Sequence, residues 1–245
     1  MVKLVNIHCH MLYGVDDGAK DPEMMMRMID AAYKSGVRVI CMTPHYNPAV
    51  FRCPPEVIKG RFDKAKSYAS EKYPDLRLCL GQEMYCYHSS VDDLLEGRCL
   101  TLNGTRYVLA EFGPSDDKST IRAGVTRLLT SGFIPVVAHV ERYSATRGSK
   151  SFVRELKEQG ALVQINAASL IGEYGIGTKL YALSLIKKGL VDVVADDCHR
   201  PGGTDKNLRG RWVCLREAYD EIKKKLGEDT AQRLCCGNPL EILNG

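Results

Sequence analysis

The chain has 245 residues, of which 44% are hydrophobic and 26% charged, a balance that fits a globular protein and excludes a disordered or fibrous one. The formal net charge is +4, with 34 Lys and Arg interspersed among 30 Asp and Glu, too even a mixture to mark a nucleic-acid-binding protein by charge alone. The longest apolar runs, around Val37–Met42, Ile134–Ala138 and Val191–Ala195, fall far short of the ~20 residues that span a bilayer. Because the chain turns polar soon after Met1-Val2-Lys3-Leu4-Val5, the start does not read as a signal peptide, and a cytoplasmic location is expected.

In chain order, the first strand is read at Leu4–His8. Asp21-Pro22-Glu23 combines a capping carboxylate, a proline at the first helical position and an acidic first turn, and opens a helix through about Lys34. From there one pattern recurs: a helix ends in glycine, and a β-branched apolar run follows. Gly36 precedes Val37–Ile40, Gly132 precedes Phe133–Val137, Gly160 precedes Ala161–Ile165, and Gly189 precedes Leu190–Val194. Glycine tolerates the left-handed conformation that closes a helix, so each instance reads as a helix-to-strand turn. Two further strands are expected at Leu76–Leu80 and Tyr107–Phe112, and further helices near 55–72, 119–131, 150–159, 178–188, 211–226 and 228–235. Strands alternating with helices imply a parallel sheet. Seven of them without a linker suggest one domain over residues 1–245, closed into a TIM-like barrel. A doubly wound open sheet is the second choice, since neither glycine-rich phosphate fingerprint is present.

The ten cysteines contain no Cys-x-x-Cys pair and lie mostly in apolar surroundings, so they are read as reduced core residues. Cys235-Cys236 could be redox-active, although nothing near it in the sequence supports that.

In β/α barrels the chemistry sits at the C-terminal ends of the strands. Here those ends carry His8-Cys9-His10, Thr43-Pro44-His45, Gly81-Gln82-Glu83, Ala110-Glu111-Phe112, Ala138-His139, Asn166 and Asp196-Asp197-Cys198-His199. Five of the six histidines fall there; His88 lies beyond its strand and reads as surface. Alternate residues share a face, so His8 and His10 point the same way, as do Asp197 and His199. Packed carboxylates repel one another, and divalent cations relieve that cost. Mixed Asp, Glu and His ligation suits Mn, Fe or Zn. Asp16-Asp17-Gly18 is either an ordinary turn or a loop from which one carboxylate reaches back to a metal. Arg142, three residues after His139, either pairs with Glu141 or presents a planar fork to phosphate oxygens. Phe51, Arg52, Tyr85–Tyr87 and Tyr174 are candidate rim residues.

Taken together, His8-x-His10, Gly14-Val15-Asp16-Asp17-Gly18, Thr43-Pro44-His45, Gly81-Gln82-Glu83, Leu102-Asn103-Gly104, Ala110-Glu111-Phe112, His139-Val140-Glu141-Arg142-Tyr143 and Asp197-x-His199 resemble the PHP (polymerase and histidinol phosphatase) superfamily. Within it the resemblance is to the bacterial protein-tyrosine-phosphatase branch of capsule and exopolysaccharide clusters, the CpsB/CapC/YwqE type. The resemblance implies a distorted (β/α)7 barrel holding three divalent metals, manganese first and iron or zinc as alternatives. It places His8, His10, Glu83 and Asp197 on one metal. Glu83 would bridge to a second, shared with Glu111 and His139, and Asp17, His45 and His199 would hold the third. Arg142 matches the family's phosphate-binding arginine. The family usually opens Asp-x-His-x-His where this chain has Asn6, which can still hydrogen-bond a ligand histidine; a change at such a supporting position weakens a site about 10–100-fold. Arg200 is the nearest candidate for a second phosphate-binding arginine, with Arg209 and Arg211 behind it.

The implied reaction is metal-dependent hydrolysis of a phosphomonoester, with phosphotyrosine on a bacterial tyrosine kinase as the implied substrate. No cysteine has an arginine six residues on, so the thiol-based tyrosine phosphatase mechanism has no motif here. The alternatives are a histidinol phosphatase or another small-molecule phosphoesterase, and a metal-binding accessory module without activity. A metal-dependent amidohydrolase also uses His-x-His, but often with a strand-end lysine that this chain lacks.

Overall fold

The computed structural model describes residues 2–51, 53–202 and 211–245. Strand β1 (Leu4–Asn6) is followed by helix α1 (Pro22–Lys34), β2 (Val37–Met42), β3 (His45–Tyr46), α2 (Pro55–Lys72), β4 (Arg77–Leu80), β5 (Glu83–Tyr85) and α3 (Ser90–Leu95). Then come β6 (Tyr107–Glu111), α4 (Lys118–Thr130), β7 (Ile134–Val137), α5 (Lys150–Glu158), β8 (Leu162–Asn166), α6 (Ala167–Ile171), α7 (Ile176–Lys187) and β9 (Val193–Ala195). The chain closes with α8 (Leu215–Leu226), α9 (Glu228–Gln232), a π-helical turn at Arg233–Gly237 and α10 (Asn238–Asn244).

Every strand pair is parallel. One sheet has the order β1-β2-β4 and the other β3-β5-β6-β7-β8-β9. The described residues therefore hold nine strands where the sequence suggested seven. The extra two arise from interruptions. Pro44 has no N–H to give to a ladder, and it separates β2 from β3 while its carbonyl accepts from Glu83 N at 3.1 Å. Gly81 and Gln82 separate β4 from β5, and a Cβ on Gly81 would sit 3.0–3.2 Å from Leu102 and Thr101. Each break shifts the chain at the point where it delivers a site residue: His45 begins β3, Glu83 begins β5, and the two lie directly opposite in register.

The sheets curl until β9 returns to β1. Cys9 and Cys198 form a parallel bridge, Asp197 N donates to His8 O at 2.9 Å, and His10 N donates to Cys198 O at 2.8 Å. Alternate strand residues pack an inner core of Val5, Ile7, Cys41, Leu109, Val136 and Val193, joined by Ile242 and Leu243 from α10. The opposite strand faces pack on the helices, with Met25, Met28 and Ile29 of α1 fully buried, each contributing about 1.5–3 kcal/mol. The Asp21 cap is realised, its side chain accepting from Met24 N at 2.7 Å. All ten cysteines are free. His88 is exposed, as its position beyond the strand suggested.

Candidate metal centre

The strand ends bring nine side chains together in three overlapping groups. His8, His10, Glu83 and Asp197 form one; His10, Asp17, His45 and His199 form a second; His45, Glu83 and Glu111 form a third. Within each, one nitrogen or oxygen per residue lies within 4.8 Å of all the others. His139 joins the third group, its Nε2 lying 3.0 Å from Glu83 Oε1 and 3.5 Å from Glu111 Oε1.

Glu83 is the hub. Its Oε2 is 3.1 Å from His8 Nε2, 3.2 Å from His10 Nε2 and 3.1 Å from His45 Nδ1, yet this buried oxygen has no hydrogen bond of acceptable geometry. Nε2 of His8 and Nε2 of His10 face each other at 3.3 Å, and Asp197 Oδ1 is 3.5 Å from both. The outer ring nitrogens explain why. His8 Nδ1 sits 3.1 Å from Gln164 Oε1 and His10 Nδ1 sits 2.7 Å from Asp16 Oδ2. Both partners are acceptors, so each Nδ1 carries the proton and each Nε2 turns a lone pair inward. Lone pairs and carboxylate oxygens pointing at one space, without protons between them, fit a divalent cation.

The supporting shell is specific. Asp16 also accepts from His45 N at 2.9 Å and Gly18 N at 2.9 Å. Gly18 packs so tightly on His10 that a Cβ there would lie 2.1 Å from His10 O, which accounts for the glycine after the two aspartates. Gln164 Oε1 also accepts from His139 N at 2.9 Å, and Asn166 Nδ2 donates to Asp197 Oδ2 at 2.7 Å. His139 and Asp197 both adopt positive φ, 34° and 51°, a costly conformation for residues other than glycine and one that concentrates at functional sites. Asn6 bonds elsewhere than the His8 ring: Nδ2 donates to Asp196 Oδ2 at 3.0 Å, and Oδ1 accepts from His8 N at 3.4 Å and Asp196 N at 3.1 Å.

Without cations the cluster stores proton charge. Burial disfavours ionised Glu83, but the imidazoles of His8, His45, His10 and His139 crowded around it outweigh burial and hold the carboxyl well below its usual range. Asp197 is held down in the same way, against burial, chiefly by His8 and His10. Burial would lower His139, yet hydrogen bonds to Glu111 and Glu83 push it up to about 10. His199 goes the other way, down to about 4, through burial and the nearby His10 charge.

Two arginines face the cluster. Arg142 Nη1 donates to Asp197 Oδ2 at 3.1 Å, and its guanidinium lies 5.6 Å from the centre of the Tyr174 ring. Glu141 is engaged elsewhere, accepting from Asn166 N at 3.0 Å and Ser169 Oγ at 2.5 Å. Arg211 donates from Nη2 to Asp17 Oδ2 at 2.9 Å and abuts His199 Nε2. The Asp17–His199 corner is thus met by Arg211, while the Arg200 backbone forms a parallel bridge with Trp212. Arg52 and Arg209 lie outside the described residues. Of the rim candidates, Phe51 stacks on His45 with ring centres 5.2 Å apart, while Tyr87 turns away to Asp93. Gln164 and the supporting contacts of Asn166 and Asp16 were not foreseen in the sequence, whereas Arg211 was among the candidates for a second arginine, behind Arg200. Gln164 could have been found from the period of two, which puts it on the face of Asn166.

The model of the CpsB/CapC family of capsular polysaccharide synthesis matches residues 4–244. Tyrosine-protein phosphatase CpsB of Streptococcus pneumoniae is 34% identical over 245 residues, covering 98% of each chain. Tyrosine-protein phosphatase YwqE of Bacillus subtilis is 32% identical over 226 residues, covering 92% of this chain and 86% of that one. A chain from the crystal structures of YwqE from Bacillus subtilis and CpsB from Streptococcus pneumoniae, described as unique metal-dependent tyrosine phosphatases, superposes with a TM-score of 0.88 at 31% identity, covering 98% of this chain and 94% of that chain. Full-length sequence similarity and shared architecture agree: the chain belongs to the CpsB/CapC family.

Proposed function

We propose that this protein is a metal-dependent protein-tyrosine phosphatase, a phosphoric monoester hydrolase acting in capsule or exopolysaccharide synthesis. The observation that carries the reading is Glu83, whose buried Oε2 is approached by three imidazole nitrogens without a hydrogen bond. The relatives' names supply the substrate class. The whole of residues 1–245 forms one domain, a distorted (β/α)7 barrel in which β2 with β3, and β4 with β5, each continue a single strand position.

Three divalent cations, manganese first with iron or zinc as alternatives, fit the three groups. His8, His10, Glu83 and Asp197 would hold one; Glu83, Glu111 and His139 would hold the second; Asp17, His45 and His199 would hold the third. When bound, such cations supply Lewis-acid charge to the phosphoryl group and acidify water. The protein's own groups do the rest. Gln164 and Asp16 fix the protonated face of His8 and His10, so no proton occupies the ligand side. Arg142 offers a planar fork to the equatorial phosphoryl oxygens, where charge develops during transfer. Arg211, held on Asp17 at 2.9 Å, is positioned to act as the second arginine, with Arg200 the other candidate. Tyr174, under Arg142, lies where a phosphotyrosine ring would pass. A phenolate with a pKa of about 10 leaves without strong acid assistance. The thiols are poor nucleophiles, since burial pushes Cys41, Cys99, Cys198, Cys214 and Cys235 well above the usual thiol range. The free cysteines suit a reducing cytoplasm, where a bacterial tyrosine kinase presents the phosphotyrosine.

Phosphate release from a phosphotyrosine peptide, with manganese and then with excess chelator, tests this. The expected result is release that depends on manganese and stops with chelator. Hydrolysis of histidinol phosphate in preference to the peptide would replace the substrate, and metal binding without hydrolysis of either would leave an accessory module.

A further inference from the structure

We propose a second ligand site at the opposite end of the strands, shaped for an organic phosphate with an apolar body. It rests on no feature of the metal centre. All strands run parallel, so the ends remote from the cluster gather the residues that begin them. Three adjacent strand positions each bring a cation: Lys3 just before β1, Arg38 in β2 and Arg77 at the start of β4, with Arg77 beside Val39 in register. Arg233 arrives from the other side, at the start of the π-helical turn. Between these lies a cavity of about 600 Å³, within the roughly 300–1,000 Å³ of small-molecule sites. The lining residue Val5 precedes His8 by three residues, about 10 Å of strand, so the cavity and the cluster lie toward opposite ends of the strands.

Its lining is divided. Val5, Val39 and Leu240 form an apolar side, while Lys3, Arg38, Arg77 and Arg233 face a single carboxylate, Asp75. Asp75 is committed to Arg38 Nε at 2.9 Å and to Tyr33 Oη at 2.7 Å. Arg77 donates to the neutral Asn244 Oδ1 at 2.9 Å. No carboxylate among the described residues neutralises Lys3, Arg77 or Arg233. A barrel end packed for stability alone would fill its space; this one leaves a hollow lined by three cations that lack a carboxylate partner among the described residues. The wall opposite the strands is the widened turn Arg233–Gly237, a rare helix form found most often at functional sites, and Gly237 adds no side chain to fill the space. Arginine forks and a lysine suit phosphate oxygens, and the aliphatic side suits a base or alkyl chain.

Calorimetry on the manganese-loaded full chain tests the site with three probes: guanosine diphosphate, dodecyl phosphate below its micellar concentration, and inorganic phosphate. The proposal expects saturable binding of one of the two organic phosphates, at least tenfold tighter than inorganic phosphate. Binding should survive Arg142→Ala and weaken at least tenfold in the double variant Lys3→Ala/Arg233→Ala. Both substituted residues are exposed, and an unchanged melting temperature verifies the fold. The outcome between the two organic probes identifies the apolar body, a base or an alkyl chain. Equal affinity for inorganic phosphate, loss of binding in Arg142→Ala, indifference to the double variant, or no binding of either organic probe would each overturn the proposal.

Discussion

Two networks of ionisable groups in this molecule follow opposite rules. On the α1–α2 surface, Asp30 accepts from Tyr68 Oη at 2.6 Å, Tyr73 Oη at 2.8 Å and Lys72 Nζ at 2.8 Å. Each contact has a donor and an acceptor, and the network is complete in itself. At the strand ends, Glu83, Asp197 and the histidines are buried, but lone pairs meet lone pairs and the central oxygen lacks a hydrogen bond. A buried polar group left in that state costs about 1–3 kcal/mol, more when charged. The surface network stabilises the fold, and the strand-end network is organised for a guest cation.

The contrast is broken most severely at Glu83. Glu83→Gln keeps the volume but removes the charge shared between groups, and kcat/KM for a phosphotyrosine peptide should fall on the order of 10³-fold, as expected for losing charge stabilisation of the transition state. Activity within tenfold of the unaltered protein would show that the hub is not needed.

Asp16→Asn probes the support and not the ligands. With a neutral acceptor opposite His10 Nδ1, the ring loses basicity and orientation, and manganese affinity measured by competition with a chromophoric chelator should drop about 10–100-fold. An unchanged affinity would reduce Asp16 to a turn residue.

Stability against pH separates the metal-free and metal-loaded forms. His139 has a folded pKa of about 10 against an ordinary 6.5, so its contribution to the metal-free protein is complete below about pH 6.5 and fades as pH rises toward 10. Glu83 and Asp197 are depressed, so their contribution is present above the ordinary carboxylate range and is lost on acidification. The metal-free melting temperature should therefore decline from pH 6 to pH 9. Metal ligation competes with these protons, so the gap between loaded and metal-free forms should widen over the same interval; a constant gap would mean that ligation displaces none of them.

The smallest effect belongs to the complete network. Asp30→Asn should cost about 1 kcal/mol by chemical denaturation and leave activity unaltered. Asp30 is held below its ordinary pKa against burial by Lys72, Tyr68 and Tyr73, so the difference between variant and parent should be present above about pH 4 and shrink below it. A change in activity would mean that the two networks are linked.

The strand-end cluster was legible because glycine-terminated helices mark four of the strands, and so where His45, His139, Asp197 and His199 fall, while the apolar runs before His8, Glu83 and Glu111 mark the others. The helix at Pro22–Lys34 was legible from its cap for the same local reason. What could not be read depends on chain geometry over long separations. The breaks at Pro44 and at Gly81–Gln82 turn seven runs into nine strands. Gln164 reaches His8 across 156 residues, and Arg211 returns to Asp17 across 194. Asn6 does bond a cluster histidine, through His8 N, but its amide donates to Asp196, whose carboxyl burial pushes up to about 7.

Anomalous scattering from crystals of the manganese-loaded protein, recorded at the manganese edge, tests the central claim most directly. The account predicts peaks at the strand ends, three in number, each bounded by the groups that meet at Glu83 and at the Asp17–His199 corner. Manganese-saturated crystals with no peak beside Glu83 would contradict it.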